Sequence, residues 1–377
     1  MMNPAALDQS KVVIVGGGAA ALEAMLALRA FCGERVGIDM YAPREDFVMR
    51  PLAVVEAFGK GEVLKFELDD VVSDSGGTFY RHSVVAIDPD NRRIVLQDGD
   101  EVDYDFVIVA TGTKSLWVVP GAMTFWGPGS QESVTEVLEL MKSGENPRVV
   151  LTMPDPTGWP LPIYEFALYL ASLTGEDDSL NAEITIVSPE GAPLQAFGKR
   201  ASDSVADMLE ESGIGFIADT VPAAFGNGRL STLPNDSIEA DAVLTLPHLT
   251  GRHIDGIPFN DDGFIPTDSH GRIIGLEREF AAGDVIDYPL KFGGFATGQA
   301  DIVAASIAAT IRGDDPPTEF EPEFKATILT PDGPVFLGED EDWSDLDQEA
   351  ASEGWNPARK IRGKYLSPVL TRLAGNE

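Results

Sequence analysis

The chain has 377 residues, of which 44% are hydrophobic and 24% are charged, a composition that suits a globular protein of two or three domains. Its 62 acidic and 27 basic residues give a net charge of −35, which excludes a primary nucleic-acid binder and argues against broad adhesion to anionic lipid. A single cysteine, Cys32, excludes an internal disulfide and a CxxC redox pair, and with only four histidines it makes a multi-cysteine metal centre implausible.

Strands alternate with helices along most of the chain, which is typical of parallel α/β units. A strand, a glycine turn, a helix and a second strand form one unit near the N-terminus, and the same pattern restarts near residue 148. We therefore predict an α/β fold of two Rossmann-like three-layer domains followed by a C-terminal extension. The predicted elements, in chain order, are a strand at 11–15, a helix at 19–31, a strand at 36–41, a β-rich stretch at 77–109, a strand at 148–153, a helix at 163–172, a strand at 183–190, a β region at 214–246, a strand at 279–285, a helix at 294–311, a linker at 314–322 and a solvated acidic loop at 338–349.

The first strand ends in a glycine turn that fits a nucleotide-binding loop. Residues 11–21 are KVVIVGGGAAA, so Gly16 and Gly18 take the first two glycine positions of GxGxxG. Ala21 takes the third position, where only close packing of helix on strand is required. A glycine turn that opens a helix presents free N–H groups to a pyrophosphate. The alternative is a tight turn with a structural role only.

The second strand lacks the acidic residue that normally binds the ribose hydroxyls at its end. Ala42 occupies that position, whereas Asp39 lies three residues earlier and Glu45 three residues later. Three alternatives follow: Asp39 substitutes, Glu45 substitutes, or backbone and water hold the ribose.

Two further motifs follow strands. The stretch YDFVIVATG ends in Ala110, Thr111 and Gly112, and the stretch FAAGDV carries Gly283 and Asp284. An aspartate after Ala-Ala-Gly has an alternative role as a helix cap. Together, however, GGGAAA, VIVATG and AAGD resemble the three FAD-contact motifs of the flavoproteins with two dinucleotide-binding domains.

Other stretches narrow the resemblance to the sulfide:quinone oxidoreductases and type II NADH dehydrogenases. DFVMRPL at 46–52, which includes Arg50 and Pro51, is similar to their flavin-side loop. VSPE at 187–190, GFIPTD at 263–268 and KFGG at 291–294 fit the same group. The similarity covers about residues 10–335.

The resemblance implies a non-covalently bound FAD. It implies an FAD-binding domain at 1–118 and 255–315, a second dinucleotide-binding-like domain at 119–254 and a C-terminal extension at 316–377. Asp284 would then bind the ribityl chain, and the amides after Lys291 would face the flavin edge where negative charge develops. Lys291 would add its own charge, the alternative being a lysine on a solvated loop. The implied cofactor-binding residues are Gly16, Gly18, Ala19, Ala20, Ala21, Arg50, Pro51, Val84, Ala110, Thr111, Gly112, Gly283, Asp284, Lys291, Gly293 and Gly294.

Two departures from this group bear on the substrate. Trp159 stands where the sulfide-oxidising relatives carry a redox cysteine, and we expect Cys32 to be an apolar thiol at the end of the first helix. Where NADH-oxidising relatives carry a second GxGxxG, only Gly158 stands, among prolines that remove N–H donors. Cysteine-based sulfide chemistry and ordinary NAD(P)H binding are therefore both doubtful.

Glu165 is the remaining candidate for catalysis, because it matches the acidic residue that opens this helix in the NADH dehydrogenases. A carboxylate near a flavin and a quinone can relay protons if burial raises its pKa. The alternative is a first-turn glutamate that favours the helix dipole. Tyr164 and Trp159 are candidates for an apolar wall against the isoalloxazine. We predict that His248, His253 and His270 lie on loops, and we assign them no role.

The C-terminal stretch from residue 354 combines apolar and basic residues. From residue 361 the apolar side chains fall on one helical face, which Pro368 should break or kink in its middle. We favour packing of this helix onto the acidic body or a partner subunit of a homo-oligomer, with membrane-surface attachment as the alternative.

These observations predict an FAD-dependent oxidoreductase that passes electrons from an unknown donor to a quinone or another carrier. The alternative is an FAD-holding binding or regulatory protein with a degenerate substrate site that acts through a partner. No stretch approaches the ~20 apolar residues of a membrane-spanning helix, and the first ten residues lack a signal-peptide pattern. We therefore expect no transmembrane segment and a cytoplasmic location.

Overall fold

The computed structural model describes residues 9–143, 146–155, 158–176, 180–234, 237–338 and 356–375. Within them, the helices are α1 (Ala19–Cys32), α2 (Ala53–Ala57), α3 (Leu68–Asp74), α4 (Gln131–Met141), α5 (Leu161–Glu176), α6 (Lys199–Glu211), α7 (Gly293–Arg312) and α8 (Leu366–Leu373). The strands are β1 (Ser10–Val15), β2 (Val36–Tyr41), β3 (Asp46–Val48), β4 (Lys65–Glu67), β5 (Thr78–Tyr80), β6 (Val84–Asp88), β7 (Arg93–Leu96), β8 (Glu101–Asp103), β9 (Phe106–Val109), β10 (Thr113–Leu116), β11 (Met123–Thr124), β12 (Arg148–Thr152), β13 (Glu183–Val187), β14 (Gly215–Ile217), β15 (Val221–Gly226), β16 (Arg229–Leu233), β17 (Ile238–Glu239), β18 (Ala242–Thr245), β19 (His248–Gly251), β20 (Glu279–Ala281), β21 (Lys325–Thr330) and β22 (Gly333–Gly338).

A five-stranded parallel sheet of order β20-β9-β1-β2-β5 forms the first unit. Its central strand, β1, is an apolar run that pairs on both sides, with Val12 opposite Ile38 of β2 and opposite Phe106 of β9. Residues 12–15 are buried because helices and loops cover both faces of the sheet. The small-residue helices α1 and α7 pack closely on each other over this sheet.

A second parallel sheet, of order β11-β18-β12-β13-β14, repeats the arrangement. Each sheet is accompanied by a three-stranded antiparallel sheet, β6-β7-β8 in the first unit and β15-β16-β17 in the second. The antiparallel pair β10–β19 links the units. The predicted α/β fold with two Rossmann-like units is therefore confirmed, whereas the predicted domain boundaries remain predictions.

Several predicted elements differ in extent from the observed ones. The strand predicted at 279–285 ends at Ala281, because Gly283 has a φ of +82° and starts a turn. The strand predicted at 183–190 ends at Val187, and the helix predicted at 163–172 spans Leu161–Glu176. The prediction that His248 lies on a loop is wrong, because this residue begins β19.

The C-terminal extension contacts both units. The β21–β22 hairpin packs against α5 and α6, and α8 packs against α1. The prediction that Pro368 breaks or kinks the middle of a helix is wrong. The helix α8 begins at Leu366, so Pro368 lies in its first turn, where proline is tolerated. Residues 339–349 of the predicted acidic loop lie outside the described residues. Among the described helices, none has the length and apolar character needed to cross a membrane.

Candidate functional site

Three loops converge at the carboxyl edge of the first sheet, where parallel α/β sheets bind their ligands. The loop after β1 is fixed by the Gly16 N–H, which donates to the Tyr41 carbonyl at 2.8 Å. Gly16 has a φ of +126°, and a Cβ there would lie 2.2 Å from the Ala110 carbonyl oxygen. Only glycine therefore allows the loop after β1 to approach the Ala-Thr-Gly loop after β9.

The loop after β20 joins the same place. Gly283 donates its N–H to Gln299 Oε1 of α7 at 2.9 Å. A Cβ on Gly283 would lie 2.8 Å from the Cβ of Ala20, in the first turn of α1. The structure thus brings the three motifs found in the sequence together at the start of α1.

The loops after β1 and β9 together leave open space and an unpaired hydroxyl for a ligand. A Cβ on Gly18 would meet no atom within 4 Å, although Gly18 is the N-cap of α1. Thr111 Oγ1 is buried and has no hydrogen-bond partner among the described residues. An open N-cap with an unpaired hydroxyl beside it fits the pyrophosphate and ribityl chain of FAD.

Charged side chains of both signs surround the same place. Burial raises the pKa of Asp284, and the positive charges of Lys291 and Arg50 lower it in part. Desolvation lowers the pKa of the Arg50 guanidinium. The charge of Asp284 raises this pKa in part, and the charges of nearby Arg44 and Arg252 lower it further. The Arg50 side chain also donates to the Trp126 carbonyl at 3.0 Å. These three arginines form the positive end of the site, in a protein of net charge −35.

Lys291 is buried, which excludes its alternative as a lysine on a solvated loop. Its ammonium donates to the Ile286 carbonyl at 2.5 Å and lies 3.8 Å from the centre of the Phe264 ring. Burial lowers its pKa to about 8, against the opposing charges of Asp284, Asp287 and Asp155. Its backbone N–H donates to the Gly158 carbonyl at 3.0 Å, so the first amide of this loop is already used.

Glu165 is buried and bound by the C-terminal extension. Its Oε1 accepts the Lys360 ammonium and the Leu329 N–H, the latter at 2.9 Å. Burial raises the pKa of Glu165, and Lys360 lowers it in part. Lys360 also donates to the Thr327 carbonyl at 2.5 Å. The carboxylate therefore anchors the C-terminal segment, while its predicted catalytic role stays a prediction.

The loop after β12 differs from the loop after β1. Met153 and Pro160 are buried there, and Gly158 packs on Leu249. The acidic residue after β13, Glu190, is fully buried and accepts the hydroxyl of Tyr164. Tyr164 is thus bonded inside the second unit and does not form an open aromatic wall.

The other predicted residues take defined places. Ala19 and Ala21 lie in the first turn of α1, and Val84 begins β6 at a partly buried position. Pro51 lies in a short 3₁₀ turn with Arg50. A Cβ on Gly293 would lie 2.8 Å from Ile361, so the C-terminal segment covers the start of α7.

Sequence reasoning assigned no role to four residues beside the site. Arg44 and Arg252 lie near Arg50, and Asp155 and His248 lie within 3.6 Å of each other. No sequence spacing links these four residues. The strand order of the second sheet, which places β18 beside β12, is what brings Asp155 and His248 together.

The fold and these loops define a protein with two dinucleotide-binding-type units, of which the first has open space at the N-cap of its first helix. Residues 10–308 match the family model described as pyridine nucleotide-disulphide oxidoreductase, and the chain belongs to that family. The family assignment confirms the predicted class and its FAD cofactor, and the chain matches three of its curated relatives over less than half of their own length.

Similar proteins agree with this family and this fold. The chain is 31% identical to the mitochondrial sulfide:quinone oxidoreductase of Dictyostelium discoideum over 111 residues, which cover 29% of this chain and 24% of that protein. The sulfide:quinone oxidoreductase structure from Aquifex aeolicus matches with a TM-score of 0.75 at 18% identity, covering 91% of this chain and 90% of that one. Putidaredoxin reductase, solved in covalent complex with putidaredoxin, matches with a TM-score of 0.60 at 19% identity, covering 84% and 78%.

Proposed function

We propose that this protein passes electrons through bound FAD from a donor other than NAD(P)H to a quinone. The convergence of the loops after β1, β9 and β20 around an open N-cap carries the first part of this proposal. Bound FAD supplies reversible two-electron chemistry. The protein positions it and sets the charges around it.

We propose cofactor-binding roles for the residues that line this edge of the sheet. The Gly16–Gly18 turn and the first turn of α1 hold the pyrophosphate, with Arg50 beside it. Thr111 and Asp284 bond the ribityl chain. The start of α7, with Lys291 before it, faces the flavin edge.

The second unit supports the exclusion of NAD(P)H from the donor role. The described part of the loop after β12 contains one glycine, Gly158, and Glu190 is buried against Tyr164. A quinone acceptor is supported by the exposed apolar side chains of Leu116, Trp117 and Val118, on and just after β10.

Anaerobic photoreduction of the purified yellow protein tests this proposal. We expect a water-soluble benzoquinone to reoxidise the bound flavin, and micromolar NADH or NADPH to reduce the oxidised protein only slowly. Asp284→Ala should weaken FAD retention by about 10- to 150-fold, since a hydrogen bond to a charged acceptor contributes about 1.5–3 kcal/mol. If no quinone or carrier protein reoxidises the flavin, the protein holds FAD for binding or regulation instead.

A further inference from the structure

A histidine and a carboxylate at the junction of the two units have no role in the account above. His248 Nδ1 lies 3.6 Å from Asp155 Oδ2, and the two side chains are 29% and 33% exposed. Asp155 follows β12 and His248 begins β19, just after β18. The pair therefore lies at the carboxyl edge of the second sheet and remains accessible to a small molecule.

The pair also adjoins the loop that leads into α7. Gly158, three residues after Asp155, accepts the Lys291 N–H at 3.0 Å. The charge of Asp155 also acts on the Lys291 ammonium. On the other side, a Cβ on Gly158 would lie 3.5 Å from Leu249, the residue after His248. These contacts place His248 and Asp155 next to the proposed flavin site.

An apolar surface borders the imidazole. Leu116 of β10 is the direct cross-strand partner of His248. Leu116, Trp117 and Val118 are 43%, 63% and 41% exposed, which is unusual for three consecutive large apolar side chains. An apolar wall with one proton-exchanging group beside it suits a flat apolar ring that carries carbonyl oxygens.

We propose that the quinone is reduced at this junction, with His248 as the catalytic proton donor and Asp155 as the residue that positions it. The inference rests on the proposed function and adds the location and the residues. Conversion of a quinone to its quinol takes up two electrons and two protons. Reduced FAD, the cofactor of the proposed function, would supply both electrons and one proton to one end of the quinone as a hydride equivalent. The His248 imidazolium gives the second proton to a carbonyl oxygen, and His248 regains a proton from water after the quinol leaves.

Asp155 explains why this histidine suits the step. A carboxylate on the Nδ1 side holds the ring so that Nε2 faces away from it. The wall of Leu116 and Trp117 covers the apolar ring of the quinone. No glycine cradle is needed, since a quinone carries no pyrophosphate.

The test is stopped-flow reoxidation of photoreduced holoprotein by two acceptors. Reduction of a short-chain benzoquinone takes up protons, whereas reduction of ferricyanide takes up one electron and no proton. We expect His248→Gln to slow reoxidation by the benzoquinone by at least ~10-fold, since general acids typically contribute about 10²–10⁴-fold. Asp155→Asn should slow it less. Reoxidation of both variants by ferricyanide should match wild type.

A matched control and a binding measurement complete the design. His253 lies 3.4 Å from Asp255 in a similar but more exposed pair, so His253→Gln should change neither rate. The benzoquinone should quench tryptophan fluorescence in wild type, and Trp117→Phe should remove most of this quenching.

The outcomes separate this proposal from the proposed function. If wild type is reoxidised by the benzoquinone and His248→Gln behaves identically, the junction site is wrong and the proposed function stands. Equal slowing with both acceptors also overturns it, because His248 would then be structural. If the benzoquinone never reoxidises wild type, both proposals fall.

Discussion

The loop after β1 and the loop after β12 occupy equivalent places, because four strands of each sheet follow the same order, β9-β1-β2-β5 in one and β18-β12-β13-β14 in the other. After β1, Gly16 turns the chain and Gly18 leaves open space at the N-cap of α1. After β12, Met153 and Pro160 are buried, and the described part of the loop has a single glycine, Gly158. The comparison shows that the βαβ frame is held by its apolar strands and helices, whereas the ligand cradle depends on a few backbone positions that can change without loss of the frame.

The first helices of the two units offer a second comparison. Glu23 is the fifth residue of α1 and Glu165 is the fifth residue of α5, and both are buried. The C-terminal segment binds both of them. The Tyr365 and Leu366 N–H groups donate to Glu23 at 2.8 and 2.7 Å, and Lys360 pairs with Glu165. Equivalent positions in the two units have thus become attachment points for one segment.

The largest effect should come from Gly16→Ala, which tests whether the first cradle is part of the frame. Its φ of +126° and the 2.2 Å approach to Ala110 leave no room for a methyl group. We expect a loss of about 4 kcal/mol or more of stability, or no soluble protein. Chemical denaturation of the protein without FAD measures it. A melting curve like that of wild type would show that the loop can rearrange.

The second-largest effect should come from breaking the buried ion pair between Glu165 and Lys360, at the second attachment point. Glu165→Gln leaves the Lys360 ammonium buried without its counter-charge, and the loss of one partner of a buried pair costs about 3–5 kcal/mol. Thermal denaturation measures the loss. Asp203→Asn is the control, because its pair with Lys199 is exposed and exposed pairs contribute about 0–1 kcal/mol. Equal stability of the two variants would contradict the anchoring role of Glu165.

The pair Gly18→Ala and Gly158→Ala compares the two loops directly. A methyl group on Gly18 meets no protein atom, so the protein without FAD should keep its melting temperature. The methyl group would occupy the space proposed for the pyrophosphate, and we expect the Kd for FAD to rise by at least ~10-fold, or about 1.4 kcal/mol. Gly158→Ala should change neither quantity. Unchanged FAD affinity in Gly18→Ala would remove this residue from the cofactor site.

The first attachment point should respond to pH. Burial and the neighbouring Glu23 raise the pKa of Asp301 on α7 to about 8. A carboxyl group with a raised pKa in the folded state binds its proton more tightly there than in the unfolded chain, where its pKa is about 3.9. Its stabilising contribution is therefore full below about pH 4 and is lost as the pH rises towards 8. We expect faster proteolysis of residues 356–375 at pH 9 than at pH 6, and Asp301→Asn should abolish the difference.

The smallest effect concerns the thiol. Cys32 is buried at the end of α1, where burial raises its pKa and keeps it protonated. One such thiol cannot run a dithiol relay, so Cys32→Ser should leave turnover of the flavin unchanged. Loss of activity in this variant, with FAD still bound, would show that the Cys32 thiol takes part in turnover.

The sequence by itself determined the two α/β units, the FAD cofactor and the glycine turn after the first strand. These features are local: an apolar strand, a glycine at a fixed offset and a helix start appear together in a short stretch, and their order along the chain marks the strands that lie side by side. The missing glycines after β12 were equally visible, because a cradle needs particular residues at consecutive positions.

Only the tertiary structure decided what surrounds those motifs. Glu165 looked like a residue beside a flavin, yet its partner Lys360 is distant in sequence, and no pattern along α5 reveals that pairing. The Asp155–His248 pair and the group of Arg44, Arg50 and Arg252 have the same origin. The distances within these groups, and the pKa shifts of Glu165, Arg50 and Arg252, depend on which strands are neighbours and how deeply each charge is buried. Both follow from packing of the whole chain rather than from local sequence.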